Sequence, residues 1–220
     1  MRWLLKANAS NTSAPLLKEV AYTKIKELIL NGNFSPGAFL SERELIELLN
    51  MSKTPIKSAL IRLEAEGFLT VSSKQGIIIN DLSIERILDI YDLRTALETF
   101  NCKQLTGKLR DEQCRELEDN LKETEEIIKK QDVKAFTILD HAFHLLICQY
   151  VGNQEIYRIL LNYHDHLQRI TYRHLYKDPN RMKDFWKEHQ KIYEYIKTGN
   201  LQSVELMEAH LQDSKRKLFL

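Results

Sequence analysis

One stretch constrains the fold more than any other: PGAFLSERELIELLNMSKTPIKSALIRLEAEGFLTVSSKQGIIIN, residues 36–80. Ser41 and Glu44 form an S-x-x-E capping box, so a helix is expected to open at Glu42 and run through Leu45, Leu48 and Leu49. Asn50 and Met51 break it. Ser52 or Thr54 can cap a second helix, with Pro55 in the first turn, where a missing N–H costs nothing. Ile56, Ala59, Leu60 and Leu63 give this helix one buried stripe, and Gly67 can end it. Beyond it, LTV and IIIN are short β-rich runs around SSKQG, the pattern of a hairpin. Two short helices at a turn followed by a hairpin make a winged helix-turn-helix, a DNA-reading unit.

Charge supports that reading only locally. Between Asn50 and Leu63 lie Lys53, Lys57 and Arg62 without an acid, and Lys74 falls at the tip of the expected wing. Residues 16–82 hold eight basic and eight acidic side chains, and the whole chain is only +1. No global basic footprint marks nucleic acid, so affinity has to come from a focused patch, doubled in a dimer. For an isolated pair of lysines, a solvated helix face is the default reading. The caps, turn and wing around this pair reverse it.

These residues resemble the GntR-family DNA-binding domain, whose pattern runs PG-x-x-L-x-E-x-x-LA, then V-S-R-T-P-V-R-x-A-L-x-x-L-x-x-x-G. The resemblance passes through Pro36, Gly37, Leu40, Ser41, Glu42, Leu45, Ser52, Thr54, Pro55, Ala59, Leu60, Leu63, Glu66 and Gly67. It implies that Arg43, Ser52, Lys53, Thr54, Lys57 and the wing glycine Gly76 face DNA. Lys53 and Lys57 depart from the family's arginines. Lysine keeps the phosphate contact but lacks the planar fork that grips guanine.

With 220 residues, the chain has room for one small and one medium domain. Its 29% charged and 43% hydrophobic residues are ordinary for a soluble globular protein. Cys102, Cys114 and Cys148 show no C-x-x-C spacing, which suits reduced thiols in the cytoplasm. MRWLLKANASNTSAP is too short in its apolar run for a signal peptide or a span, so residues 1–15 read as a flexible arm.

After Asp81, Gly107, Gly152 and Gly199 punctuate long amphipathic patterns at roughly 84–106, 111–130, 132–150, 154–175, 180–197 and 201–217. Short breaks favour antiparallel neighbours. The expected fold is therefore mainly α: a winged helix-turn-helix at 16–81, then an all-α antiparallel bundle at 82–220.

The bundle's chemistry lies in its histidines. Asp140 and His144 share a helix face with Phe136, Phe143 and Ile147. His189 lies between Phe185 and Ile192, and His210 follows Leu206 and Met207, each on an inward stripe. A lone histidine on such a stripe is most simply a hydrogen-bonded core residue, and His141, His164, His166 and His174 are left in that role or on the surface. One carboxylate and three imidazoles on three stripes are unfavourable unless they share a partner, since an unpaired buried polar group costs about 1–3 kcal/mol. A divalent metal satisfies all four, and nitrogen-rich ligation suits zinc, nickel or a similar ion.

This half resembles the FCD ligand-binding domain, through DHAFH (140–144), Glu188-His189 with Ile192, and MEAHL (207–211). The resemblance implies that Asp140, His144, His189 and His210 ligate a metal, and that the effector is a small carboxylate. Arg94, in LRTALE, is either a two-pronged clamp for that carboxylate or the internal partner of Glu98, four residues on. Tyr172 and Arg173 are further pocket candidates. The expected protein is a ligand-responsive regulator, a repressor, that binds a palindromic operator as a homodimer. Two rivals stand beside it: a metal-dependent hydrolase-like enzyme, and a DNA-binding dimer with a purely structural metal.

Overall fold

A computed structural model describes residues 16–72, 76–81 and 83–218. The expected arm at 1–15 and Lys74 at the wing tip lie outside the described residues. The chain divides into two compact units after residue 82.

The first unit contains α1 (Leu17–Leu30), β1 (Phe39–Leu40), α2 (Glu42–Leu49), α3 (Lys53–Ala65), β2 (Leu69–Ser72) and β3 (Gly76–Ile79). The capping box forms as the sequence demands. Ser41 Oγ accepts from Glu44 N–H at 3.1 Å, and Glu44 Oε2 accepts from Ser41 N–H at 2.6 Å. Asn50 ends α2 in the left-handed region, a conformation that asparagine tolerates better than most side chains. Ser52 sits at the N-cap of α3. Ala21, Ile25 and Ile29 of α1 pack with Ile56, Leu60 and Leu63 of α3 and with Phe68, Ile77 and Ile79. The strands are antiparallel in the order β1-β3-β2, with Leu69 opposite Ile79 and Ser72 opposite Gly76. This is the winged helix-turn-helix, with α1 as its third helix.

The second unit is helical: α4 (Ile84–Leu105), α5 (Asp111–Lys129), α6 (Val133–Val151), α7 (Gln154–Lys177), α8 (Arg181–Thr198) and α9 (Gln202–Lys217). The links run from two residues (152–153) to five (106–110). α6 is its axis. Twelve residues between Phe136 and Cys148 of α6 are buried, so this helix is apolar almost all round and packs against α4, α5, α7 and α8. α9 lies against α4 and α8. Asp132 caps α6 by accepting from Ala135 N–H, and Gly152 ends it at φ +81°. The three cysteines are free thiols.

Candidate functional site

In the first unit, α3 buries Pro55, Ile56, Ala59, Leu60 and Leu63 and leaves Lys53, Thr54 and Lys57 exposed. Ser52 makes no side-chain capping bond, so its hydroxyl is not committed to the helix. Lys53 Nζ lies 3.3 Å from Glu42 Oε1, and Arg43 Nε donates to Glu47 Oε1 at 2.8 Å. Both are surface pairs, which hold their partners weakly. Gly76 has φ +83°, and a Cβ there would stand 2.8 Å from the Leu40 carbonyl oxygen. The close approach of β3 to β1 therefore requires a glycine, whatever else the wing does.

In the second unit, α6, α8 and α9 bring three imidazoles together. His189 Nε2 lies 3.2 Å from His144 Nε2 and 3.2 Å from His210 Nε2, and all three rings are buried. Asp140, one turn before His144, places Oδ1 3.7 Å from His189 Nε2. That oxygen is buried without a hydrogen-bond partner. His189 is also stacked on Phe143, with ring centroids 4.3 Å apart.

The far side of each ring decides what its Nε2 can do. His144 Nδ1 lies 2.6 Å from Glu98 Oε2, and His210 Nδ1 lies 2.6 Å from Glu188 Oε2. The hydrogen bond between His210 Nδ1 and Glu188 holds the proton there and leaves His210 Nε2 as a lone pair, whereas His144 Nδ1 faces Glu98 at ion-pair distance without hydrogen-bond geometry. That lone pair faces His189 Nε2, which in a neutral ring carries at most one hydrogen for two neighbours, His210 and His144. At least one of these contacts lacks a proton to share. With the orphaned Asp140 oxygen, this is a donor set suited to a cation, and the three histidines are close enough to hold one together.

Electrostatics agree. Burial, then the neighbouring His210 and His144, push His189 well below its ordinary value, so it stays neutral. Burial pushes His144 down against the pull of Glu98. Burial raises the Asp140 carboxyl, against the pull of His144 and His210. Neutral imidazoles are the ligating form, and a bound cation reverses the burial penalty on the carboxylate.

Arg94 is buried on α4 and its Nε donates to Glu98 Oε1 at 2.6 Å. Burial would raise the Glu98 carboxyl, but Arg94 and His144 hold it down, at about 2. Both readings of Arg94 therefore meet in one place: it pairs with Glu98, and it also lines a cavity with Tyr91, Asp140, His144, Thr171, His174, Phe185 and His210. Tyr172 and Arg173 do not line that cavity. They fall on the exposed side of α7, and Thr171 and His174 take their place, because a step of one residue turns a helix by about 100°. His141 contacts Thr171 Oγ1 through Nε2 at 3.2 Å, and His164 contacts Gln168 at 3.0 Å, the hydrogen-bonded core roles expected of them.

Sequence reasoning overlooked Glu98 and Glu188 as supports for the histidines. Their signal was present: Glu98 stands one turn from Arg94, and Glu188 directly precedes His189.

Comparison with known proteins fits both units. Residues 17–79 match the bacterial regulatory proteins of the gntR family, and residues 89–213 match the FCD domain. The chain belongs to the GntR family of transcriptional regulators, with a C-terminal FCD ligand-binding domain. It is 28% identical over 188 residues to the uncharacterized HTH-type transcriptional regulator YdhC of Bacillus subtilis, covering 84% of this chain and 82% of that one. It is 25% identical over 205 residues to the HTH-type transcriptional repressor RspR of Escherichia coli, covering 92% and 89%. A putative GntR transcriptional regulator from Rhodococcus sp. RHA1 has the same fold, with a TM-score of 0.78 at 18% identity over 92% of this chain and 97% of that one. The domains and the relatives are regulators of transcription, not enzymes, which removes the hydrolase-like reading. Among the described residues, no helix is long and apolar enough to cross a membrane.

Proposed function

We propose that this chain is a cytoplasmic repressor that binds a palindromic operator as a homodimer and senses a small carboxylate at a metal site in its helical unit. The observation that carries this reading is the convergence of His144, His189 and His210 beside the orphaned Asp140 oxygen, on the wall of a cavity that Arg94 also lines. These four residues would hold a divalent ion, zinc, nickel or similar. Such an ion supplies a Lewis-acidic point for an effector carboxylate. Arg94, already aligned by Glu98, adds charge-assisted hydrogen bonds to the same group. Thr171 and His174 contribute the polar remainder of the wall.

On the DNA side, Ser52, Lys53, Thr54 and Lys57 would enter the major groove with α3, while Arg43 and Gly76 flank it. A dimer would place two such helices about one helical turn apart. For the acid to regulate, it has to bind the DNA-competent and DNA-incompetent arrangements with different affinities.

The test is operator affinity by gel shift on DNA from around the protein's own gene, with a panel of small carboxylic acids, in metal-loaded and chelated protein. The expected result is a change of about 5- to 150-fold with one acid, abolished by chelation. DNA binding indifferent to every acid and to chelation would leave a DNA-binding dimer with a structural metal.

A further inference from the structure

The outer face of α3 carries one side chain that neither the core nor the charge pattern explains. Ile56, Ala59, Leu60 and Leu63 form the buried stripe of this helix. Displaced from it by two residues, and so by about 200° around the axis, lies a second stripe of the same spacing: Thr54, Lys57, Ser58 and Ile61, all exposed. Ile61 is 60% exposed, so packing within the first unit does not require an apolar residue there. A single exposed isoleucine elsewhere on a surface would be ordinary. This one stands at i+7 in a row of i, i+3, i+4 and i+7, the spacing with which a helix lying in the major groove meets base edges.

The charged groups beside it are drawn aside. Arg62, the next residue, donates through Nε to Glu66 Oε1 at 3.1 Å and through a terminal nitrogen to Glu19 Oε2 at 2.9 Å. Its guanidinium carbon lies 3.7 Å from the centroid of the Tyr22 ring, so the side chain is turned to α1. Glu64, three residues after Ile61, accepts from the Val71 N–H at 2.7 Å and is turned to β2. Both charged neighbours on this turn are thus tied to the scaffold.

Thr54 and Ile61 are seven residues apart, about 10 Å along the helix, which matches roughly three base steps of DNA. Among the base edges of the major groove, only thymine presents an apolar group, its C5-methyl. Isoleucine can neither donate nor accept, so it would strip water from the polar edge of any other base without replacing it. We propose that Ile61 is a specificity-determining residue that reads a thymine by packing on its C5-methyl group, further along the groove than the contacts of the α3 N-terminus. This inference rests on α3 lying in the major groove, as proposed above.

The experiment uses the full-length protein and a duplex that it selects from a random-sequence library. Each thymine of the selected site is replaced in turn by deoxyuridine, which keeps every hydrogen bond and removes only the methyl group. Fluorescence anisotropy should find a thymine whose replacement weakens wild-type binding by roughly fourfold, the size of burying one methyl group. Ile61→Ala should bind the thymine and deoxyuridine duplexes alike at that position, and Ile61→Val should keep part of the difference. A merely structural role for Ile61 would instead lower affinity for every duplex equally, and so sink the proposal. It would also be overturned if no thymine showed a deoxyuridine effect, or if every such effect survived Ile61→Ala. Lys57→Ala on the same duplexes separates two kinds of failure. Weakened binding with no methyl effect would remove Ile61 alone, whereas unchanged binding would take α3 out of the groove, and this inference with it.

Discussion

The two units bury different chemistry. In the first, the core is apolar: Ile25, Ile29, Leu45, Ile56, Leu63, Phe68, Ile77 and Ile79, with the Tyr22 hydroxyl at its edge. In the second, the interior carries Arg94, Glu98, Asp140, His144, His189 and His210 together, and every buried polar or charged side chain among the described residues belongs to this unit. An apolar core serves stability and leaves function to the outer face, here the exposed side of α3. A polar interior lowers stability unless a ligand completes it, since buried charges are costly without full pairing. The difference shows where each unit does its work: one reads its partner outside, the other holds its partner within.

The sharpest way to break that comparison is His189→Phe. The substitution keeps a ring of similar size against Phe143 and removes one of the three converging nitrogens. Metal content, measured by atomic emission, should fall to background. Stability of the metal-free protein should stay within about 1 kcal/mol of the chelated wild type, because apolar replacement of buried polar clusters is often neutral or stabilising. Operator affinity without effector should not change. A large loss of metal-free stability would mean that the histidines are a structural polar core, and full metal occupancy would take His189 out of the site.

Next in size is Lys57→Ala, which probes the outer face of the first unit. Lys57 is exposed on α3, whose Ile56, Leu60 and Leu63 are buried. Loss of one phosphate contact should weaken operator binding by about tenfold and flatten the salt dependence by roughly one counterion. Thermal stability should shift by no more than about 0.5 kcal/mol, as for most surface substitutions. Unchanged affinity, by fluorescence anisotropy at two salt concentrations, would show that α3 does not meet DNA through this face.

The contrast between the units also decides what the sequence could reveal. Elements of the first unit are governed by local signals: the Ser41–Glu44 box, the Asn50 break, Pro55 early in α3 and Gly67 after it are contacts within a few residues. α1 and β1 were harder to see. α1 has no side-chain cap bond, and its buried Ala21, Ile25 and Ile29 make a narrow stripe. β1 is two residues long. In the second unit, periodicity placed the helices, and the inward phase of Asp140, His144, His189 and His210 followed from it. Glu98 and Glu188 matter through partners 46 and 22 residues away, His144 and His210, and no local pattern shows such pairings. Tyr172 and Arg173 were misplaced by one or two steps around α7, an error of phase within a correctly read helix.

The smallest effect belongs to the polar edge of the first unit. Glu66 accepts from the Tyr22 hydroxyl at 2.7 Å, from Lys26 Nζ at 3.0 Å and from Arg62 Nε at 3.1 Å, and so ties α1 to the end of α3. Burial pulls its carboxyl upward, but these donors more than offset that and hold it below the ordinary carboxylate value of 4.5. A carboxylate depressed in the folded state contributes stability that is fully present above its unfolded value and is lost as pH falls through the folded one. The window therefore opens just below pH 4.5 and extends toward lower pH. Glu66→Gln should cost no more than about 1 kcal/mol at neutral pH, because the site is partly open to solvent. Its stability deficit relative to wild type, measured by denaturant titration, should shrink as the pH is lowered through that window. A deficit independent of pH would mean that Glu66 acts through packing and hydrogen-bond geometry, not through its charge.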